Sequence, residues 1–221
     1  MKFVYRDMGH ILCFDGGYVN ELVVENKRMF FNLVNSMAMQ AEGLSGDCVL
    51  SISNKPVEFS KYADLTLQFA PFQLNRKSLI TKLYSVLEKN AVNAENYVKT
   101  GEVLGEIERY LLQLSEDLPF EINCQKLAIG PIIRALSPEF EENDKDTLEK
   151  IFTYMELVCE LDRDKMFIMF NMRTYFSDDE MSNFIESACL HDFKVLLVEN
   201  FSSTRLKNVR RFTIDMDLCE F

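Results

Sequence analysis

Hydrophobic residues in the last third of the chain form a strand–helix–strand pattern. The segments KMFIMFN (165–171) and FKVLLVEN (193–200) are almost unbroken apolar runs, which are typical of strands covered on both faces of a sheet. Between them, Ser177 and Glu180 have the S-x-x-E spacing of a capping box, which predicts the start of a helix. The pattern therefore predicts the crossover unit of an α/β fold, which occurs both in nucleotide-binding enzymes and in proteins without catalytic activity.

The first seventy residues predict more strands and one helix. Three short strands, FVY, ILCF and YVNELVV, are expected, and the Asp15-Gly16-Gly17 turn predicts a hairpin between the second and the third. Asn26 is a candidate cap for a helix that runs to about Gln40. CVLSIS (48–53) and LTLQFA (65–70) are the next predicted strands, and RFTIDMDL (211–218) is the last.

Helical periodicity dominates the middle of the chain. From Asn75 onwards apolar residues recur at three- and four-residue spacing, and the sheet pattern resumes at Lys165. We therefore predict an α/β head domain formed by residues 1–74 and 163–221, with a mainly parallel sheet, and an inserted helical leg domain formed by residues 75–162.

The chain has a formal net charge of −11, which by itself disfavours nucleic acid as a partner. The charge is unevenly distributed, however. Residues 139–164 contain ten acidic and three basic residues, whereas residues 201–211 contain four basic residues and residues 73–82 contain three, with no acidic residue in either segment. The basic segments fit two readings, solvated loops or contacts to a phosphate backbone. The scarcity of aromatic residues between the cations favours duplex over single-stranded nucleic acid.

Several enzyme classes lack their sequence motifs in this chain. There is no G-x-x-x-x-G-K-[ST] sequence, and Asn171 stands where a nucleotide hydrolase would place a magnesium-binding Asp. The two histidines, His10 and His191, lie far apart in sequence. We expect no enzymatic activity. No apolar run is long enough to span a bilayer, and Arg6 and Asp7 interrupt the first hydrophobic stretch, so we expect a cytoplasmic protein that does not contact the membrane.

Three segments of the sequence resemble a known protein family. The block KMFIMFNMRTYFSDDEMSNFIESACLHDFKVLLVEN, the preceding TLEKIFTYMELVCELDRDK, and LTLQFAPFQLNRKSLITKLYSVLE (65–88) resemble the CRISPR-associated spacer-acquisition protein family of type II-A systems. The resemblance implies a head with a degenerate P-loop-like fold and a helical leg. It also implies a ring-shaped homotetramer whose channel binds double-stranded DNA ends without sequence specificity. Calcium as a bound ion, and an integrase complex and an RNA-guided effector nuclease as partners in spacer acquisition, are implied as well.

The resemblance and the charge pattern together give a set of candidate site residues. Asp117 and Glu121 are expected to bind calcium, although the spacing of the acids matches no EF-hand and a solvated acidic surface is the alternative. Eight residues are expected to contact DNA: Lys55, Arg76, Lys77, Lys82, Arg205, Lys207, Arg210 and Arg211. Two other functions remain open at this point, a degenerate nucleotide-binding or kinase-like enzyme and an acidic protein-interaction scaffold.

Overall fold

The structure is a computed structural model that describes residues 1–120, 122–123, 125–142, 146–162 and 164–221. The chain divides into two compact units. The head unit consists of Met1–Leu74 and Asp144–Phe221, and the leg unit consists of Asn75–Asn143. The predicted leg domain extended to residue 162, but the helix Thr147–Leu161 belongs to the head unit, where its tyrosine Tyr154 donates a 2.7 Å hydrogen bond to Asp64.

A five-stranded, all-parallel sheet forms the centre of the head unit, which confirms the α/β class and the mainly parallel sheet. Its strand order is β6-β7-β8-β3-β9. The strands are β3 (Val19–Val24), β6 (Ala63–Thr66), β7 (Met166–Phe170), β8 (Lys194–Glu199) and β9 (Val209–Ile214). All residues of β3 and β7 are buried, as the unbroken apolar run of β7 predicts for a strand covered on both faces.

The N-terminal strands differ from the predicted arrangement. β1 (Lys2–Tyr5), β2 (Leu12–Cys13), β4 (Cys48–Ile52) and β5 (Lys55–Val57) form a separate antiparallel sheet with the order β2-β1-β4-β5. The Asp15-Gly16-Gly17 turn connects β2 of this sheet to β3 of the parallel sheet, so the predicted hairpin between these strands is wrong. Gly16 and Gly17 have φ angles of 86° and 76°, which suit a tight turn whether or not it closes a hairpin.

The two faces of the parallel sheet are covered by different elements. On one face, Leu22, Ile168 and Leu196 belong to a core that also contains residues of the antiparallel sheet and of helix α1 (Lys27–Ala41). Asn26 caps α1 with its side chain, as predicted, and α2 (Phe59–Tyr62) precedes β6. Helices α6 (Thr147–Leu161) and α7 (Asp178–Leu190) contact one another, and α7 also contacts β3.

The strand–helix–strand unit predicted from the sequence is present. β7 and β8 pair in parallel with Met166 opposite Lys194, and α7 lies between them in the chain. Ser177 accepts a hydrogen bond from the backbone N–H of Glu180, and the Glu180 side chain accepts one from the backbone N–H of Ser177 at 2.8 Å. Both halves of the predicted capping box therefore form.

The leg unit contains three described helices, α3 (Lys77–Ala91), α4 (Tyr97–Leu114) and α5 (Ile129–Leu136). Arg134 of α5 forms an ion pair with Glu88 of α3 at 2.7 Å. Asn75 donates to the carbonyl oxygen of Phe140 and accepts from its N–H, both at 2.9 Å, which joins the start of the unit to its end. Throughout the residues that the structure describes, every helix is too short or too polar to cross a membrane.

The capping box gives a prediction about stability. We expect Ser177→Ala to lower the free energy of unfolding by about 1 kcal/mol, because the first turn of α7 loses an acceptor for its backbone N–H groups. Ser182→Ala, at an exposed position within α7, is the matched control and should be neutral or slightly stabilising. Chemical denaturation of the three proteins checks this, and equal midpoints for Ser177→Ala and Ser182→Ala would contradict it.

Candidate nucleic-acid interface

The loop between β8 and β9, residues 200–208, carries two of the predicted DNA-binding residues. Arg205 and Lys207 are both exposed, and neither forms an ion pair with any residue in the described part of the chain. The loop has no regular secondary structure until the turn at residues 207–208 that leads into β9. Two exposed cations without a compensating carboxylate are available to contact an anion from solution.

Arg210, on β9, is held against the protein surface. Its guanidinium carbon lies 3.6 Å from the ring centroid of Tyr18, and its Nη1 atom lies 3.8 Å from a carboxylate oxygen of Asp15. The Tyr18 hydroxyl donates a hydrogen bond to Asp15, so the three side chains form one cluster. The Arg210 side chain remains 42% exposed, and it therefore presents a fixed but partly neutralised positive charge.

Arg211 has a different environment from the one predicted. Its side chain is only 11% exposed, and its Nε atom donates to Glu21 of β3 at 2.5 Å. The Nη1 atom donates to the carbonyl oxygen of Ser203 at 2.6 Å, and Nη2 donates to that of Thr204 at 3.2 Å. The guanidinium thus points into the protein, where it neutralises a buried carboxylate and binds the β8–β9 loop. This arrangement leaves Arg211 unavailable as the phosphate contact that the charge pattern predicted.

Arg173 is a second buried arginine beside the same loop. It lies in a short 3₁₀ helix, Met172–Thr174, directly after β7, and its side chain is 2% exposed. Its Nη2 atom donates to the carbonyl oxygen of Thr204 at 2.8 Å and to the Asp178 carboxylate at 3.0 Å. Its backbone N–H donates to Glu199 at 3.1 Å. The loop backbone at Thr204 therefore accepts hydrogen bonds from both buried arginines.

Glu199 and Glu21 add two buried carboxylates to this network. Both residues are fully buried, and one oxygen atom of each has no hydrogen-bond partner among the described residues. Burial raises the pKa of Glu199 to about 7, and the nearby charge of Glu21 acts in the same direction, although the backbone N–H of Arg173 favours the ionised form. Glu199 is therefore only partly ionised near neutral pH.

Arg173, Glu21 and Glu199 are not among the site residues predicted from the sequence. A signal was present for the glutamates, because Glu21 interrupts the apolar strand YVNELVV and Glu199 ends the apolar strand FKVLLVEN. A charged residue inside a strand predicted to be buried requires a partner of opposite charge. The identity of that partner depends on strand pairing, here Glu21 opposite Arg211, which the sequence pattern does not specify.

The remaining predicted cations lie in two other places. Lys55, on the short strand β5 of the head unit, is exposed. Arg76 and Lys77 stand at the start of α3 in the leg unit, which has no acidic residue in its first turn, and Lys82 lies one turn further along. Lys77 is exposed, whereas Arg76 and Lys82 are partly buried and interact with other residues. Arg76 and Lys77 thus stand at the positive end of a helix dipole, and the Glu142 carboxylate lies 3.5 Å from the Asn75 side chain next to them.

The predicted calcium ligands are described only in part. Asp117 is exposed in the turn that follows α4, and Glu121 lies outside the described residues. Among the residues that the structure describes, no group of three or more His, Cys, Asp or Glu side chains is close enough to hold a metal ion. Because one of the two predicted ligands lies outside the described residues, calcium binding stays a prediction.

The segment between β3 and α1 is where a strand–loop–helix nucleotide site would lie. It consists of Glu25 and Asn26, and the Asn26 side chain accepts hydrogen bonds from the backbone N–H groups of Arg28 and Met29 at 3.2 and 3.1 Å. A phosphate-binding loop instead directs such N–H groups at the ligand. At the end of β7, the Asn171 side chain accepts from the backbone N–H of Asn200 and so joins two strand ends.

The burial of Glu199 gives a prediction about pH dependence. Because its pKa is raised from 4.5 to about 7 in the folded protein, the folded state holds this proton while the unfolded state releases it. The free energy of unfolding should therefore fall between pH 4.5 and 7, by on the order of 2–3 kcal/mol from this residue alone. Glu199→Gln should remove this decrease in the free energy of unfolding, because glutamine does not titrate. The difference in the free energy of unfolding between the variant and the unaltered protein should therefore shift in favour of the variant as the pH rises.

Denaturant unfolding at several pH values between 5 and 8 provides the measurement. Glu186→Gln, at an exposed position of α7, is the matched control and should give a profile parallel to that of the unaltered protein. A parallel profile for Glu199→Gln as well would show that Glu199 does not titrate in this range.

Comparison with known proteins places the chain in a family. None of the curated proteins compared with the chain matches it. A family model described as CRISPR-associated protein (Cas_Csn2) matches residues 40–218, which is well over half of the chain and includes α3 to α7 and the strands β6 to β9. The match confirms the resemblance noted from the sequence, and it covers both basic segments. The chain belongs to the CRISPR-associated Cas_Csn2 family.

Proposed function

We propose that this protein binds the ends of double-stranded DNA, without sequence specificity, in the central channel of a homotetrameric ring. In this role it supports the acquisition of new spacers in the cytoplasm, together with the CRISPR integrase complex and the RNA-guided effector nuclease, and it catalyses no reaction itself. The family supports the association with CRISPR, and the resemblance noted above motivates the finer assignment.

The observation that carries the DNA-binding proposal is the exposure of Arg205 and Lys207 on the β8–β9 loop, without ion-pair partners among the described residues. Side chains of this kind can bind phosphates of any sequence, because they contact the backbone and not the base edges. Lys77, exposed in the first turn of α3, offers a further cation at the positive end of a helix dipole. These features favour a phosphate backbone over a specific base sequence as the ligand.

A nucleotide-binding enzyme is the less favoured alternative. The N–H groups of Arg28 and Met29 at the start of α1 already bind the Asn26 side chain, so they are occupied where a phosphate would need them. The side chain of Asn171 is likewise used to join β7 to the residue after β8. A nucleotide site in this position would require both contacts to break.

The negative net charge is compatible with DNA binding when screening is considered. Electrostatic interactions between exposed charges decay over about 8 Å at physiological ionic strength. Acidic residues on surfaces away from a bound duplex therefore contribute little, and the cations nearest the phosphates determine the affinity. The charge of −11 per chain should still slow the approach of DNA at low salt, where screening is weak.

Self-association is supported by the exposed apolar surface of α4 in the leg unit. Every residue of this 18-residue helix is at least partly exposed. Among its apolar side chains, Tyr110 is 62% exposed and Leu114 is 60% exposed. An open groove of about 770 Å³ also lies between α3, α4 and the segment that leads into α5. Contiguous apolar surface of this kind commonly marks a protein–protein interface, and a further copy of the chain is the partner we propose.

The DNA-binding proposal predicts the effect of reversing two charges. Arg205→Glu combined with Lys207→Glu should weaken binding to unrelated linear duplexes alike, by more than about tenfold at physiological salt, because each subunit loses two phosphate contacts. If each subunit contributes two or three contacts, the unaltered protein should show a slope of log K against log salt of about −7 to −11, and the variant a much shallower one.

The matched control keeps the charges. Arg205→Lys combined with Lys207→Arg should bind nearly as well as the unaltered protein, since non-specific phosphate contact requires charge more than shape. Fluorescence anisotropy with duplexes of two unrelated sequences, measured over a range of salt concentrations, gives both quantities. Equal affinity for the charge-reversed variant would remove the loop from the proposed interface.

The self-association proposal predicts a change in molecular mass. Ile107→Glu combined with Leu111→Glu places two charges on the apolar surface of α4, where these side chains are 40% and 44% exposed, so the ring should dissociate into smaller species. Arg109→Glu, at an exposed position of the same helix, changes the net charge by the same amount and should leave the ring intact. Size-exclusion chromatography with light scattering distinguishes the two, and an unchanged mass for the double variant would contradict a role for α4.

A further inference from the structure

We propose that the buried residues Arg173 and Arg211 are positioning residues, which fix the β8–β9 loop so that Arg205 and Lys207 meet DNA phosphates in one defined arrangement. This inference rests on the proposed DNA-binding function and assigns a task to two residues that do not themselves contact the nucleic acid. It concerns the backbone of the loop and not its exposed side chains.

The loop depends on these arginines because its own backbone contributes few contacts. At its ends, the N–H of Asn200 donates to the Asn171 side chain and the carbonyl of Asn208 accepts from the N–H of Val19. In the middle, the carbonyls of Ser203 and Thr204 accept hydrogen bonds from guanidinium groups. These bonds fix the backbone immediately before Arg205.

Each arginine is in turn fixed by a carboxylate on a regular element. Arg211 is held by Glu21 of β3 at 2.5 Å, and Arg173 is held by Asp178 in the first turn of α7 at 3.0 Å. The guanidinium groups are planar and rigid, and each has donors left over after its carboxylate is bound. The two arginines thus connect the loop to the buried strand β3 of the parallel sheet and to the first turn of α7.

Removing Arg211 alone would leave the buried carboxylate of Glu21 without its partner and could unfold the protein. Two variants avoid this. Arg211→Lys keeps a positive charge for Glu21 but loses the fork that reaches both loop carbonyls, and the pair Glu21→Leu with Arg211→Met removes both charges together. If the double variant Glu21→Leu with Arg211→Met unfolds cooperatively, its head unit is folded. Its properties then report on the loop and not on loss of the fold.

The first readout is independent of DNA. Trypsin cleaves after Arg205 and Lys207, and cleavage requires the loop to leave its anchored conformation. Under native conditions, we expect both variants to be cleaved at these two positions at least about tenfold faster than the unaltered protein. Lys194→Met, which removes a partly buried cation paired with Asp164 at the opposite end of β8, is the control and should be cleaved at the unaltered rate. Unchanged cleavage in the folded variants would overturn the proposal.

The second readout is the affinity for a linear duplex and its salt dependence. A freed loop should bind more weakly and with a shallower salt slope, although every exposed cation of the loop is retained. Faster cleavage with unchanged affinity and slope would overturn the positioning role. If instead the double variant Arg205→Glu with Lys207→Glu binds DNA as tightly as the unaltered protein, the DNA-binding function proposed for the loop is wrong. The positioning role is then wrong as well. The cleavage rates then still report whether the arginines anchor the loop, so the two failures are distinguishable.

Discussion

The ion pair between Glu21 and Arg211 is the interaction on which the arrangement of the head unit depends. β3 lies between β8 and β9, and all its residues are buried, so the Glu21 carboxylate cannot be stabilised by water. Arg211 stands directly opposite Glu21 on β9. Breaking a buried pair by loss of one partner typically costs 3–5 kcal/mol, so a shift in the register of β9 would be strongly unfavourable. The same arginine binds the backbone of the preceding β8–β9 loop, which links sheet register to the position of the basic surface.

Part of this architecture could be predicted from the sequence. The unit β7–α7–β8 was predicted correctly because its signals are local: unbroken apolar strands and a capping box formed by Ser177 and Glu180. The pairing of β3 could not be predicted in this way. The turn at Asp15-Gly16-Gly17 suits a hairpin locally, but β3 instead pairs in parallel with β8 and β9, which lie far away in the sequence.

The candidate site was predictable to a similar extent. The distribution of charge along the sequence identified the basic segment 201–211. In the structure, the four basic residues of this segment have three different environments. Arg205 and Lys207 are exposed, Arg210 packs on Tyr18, and Arg211 is buried. Alternation along β9 predicts that the side chains of Arg210 and Arg211 point to opposite faces of the sheet. Which of the two is buried depends on the carboxylate of Glu21, and its position opposite Arg211 is known only from the pairing of β3 with β9. Residue type alone therefore cannot separate a phosphate contact from an internal counter-ion.

In the proposed function, the two units have different tasks. The head unit presents cations on a loop held by its core, while α4 in the leg unit presents apolar surface suited to another copy of the chain. Because the β8–β9 loop presents two exposed cations per chain, affinity for DNA should rise when several copies contribute contacts to one duplex. Assembly and DNA binding are thus expected to depend on one another.

The most direct test of this account compares a linear duplex with the same DNA closed covalently into a circle, as competitors for one labelled linear duplex. A ring that admits DNA through its channel requires a free end. The account predicts that the linear duplex competes at the concentration set by its affinity, and that the closed circle of equal length competes far more weakly. Equal competition by the two forms would contradict binding in a closed channel.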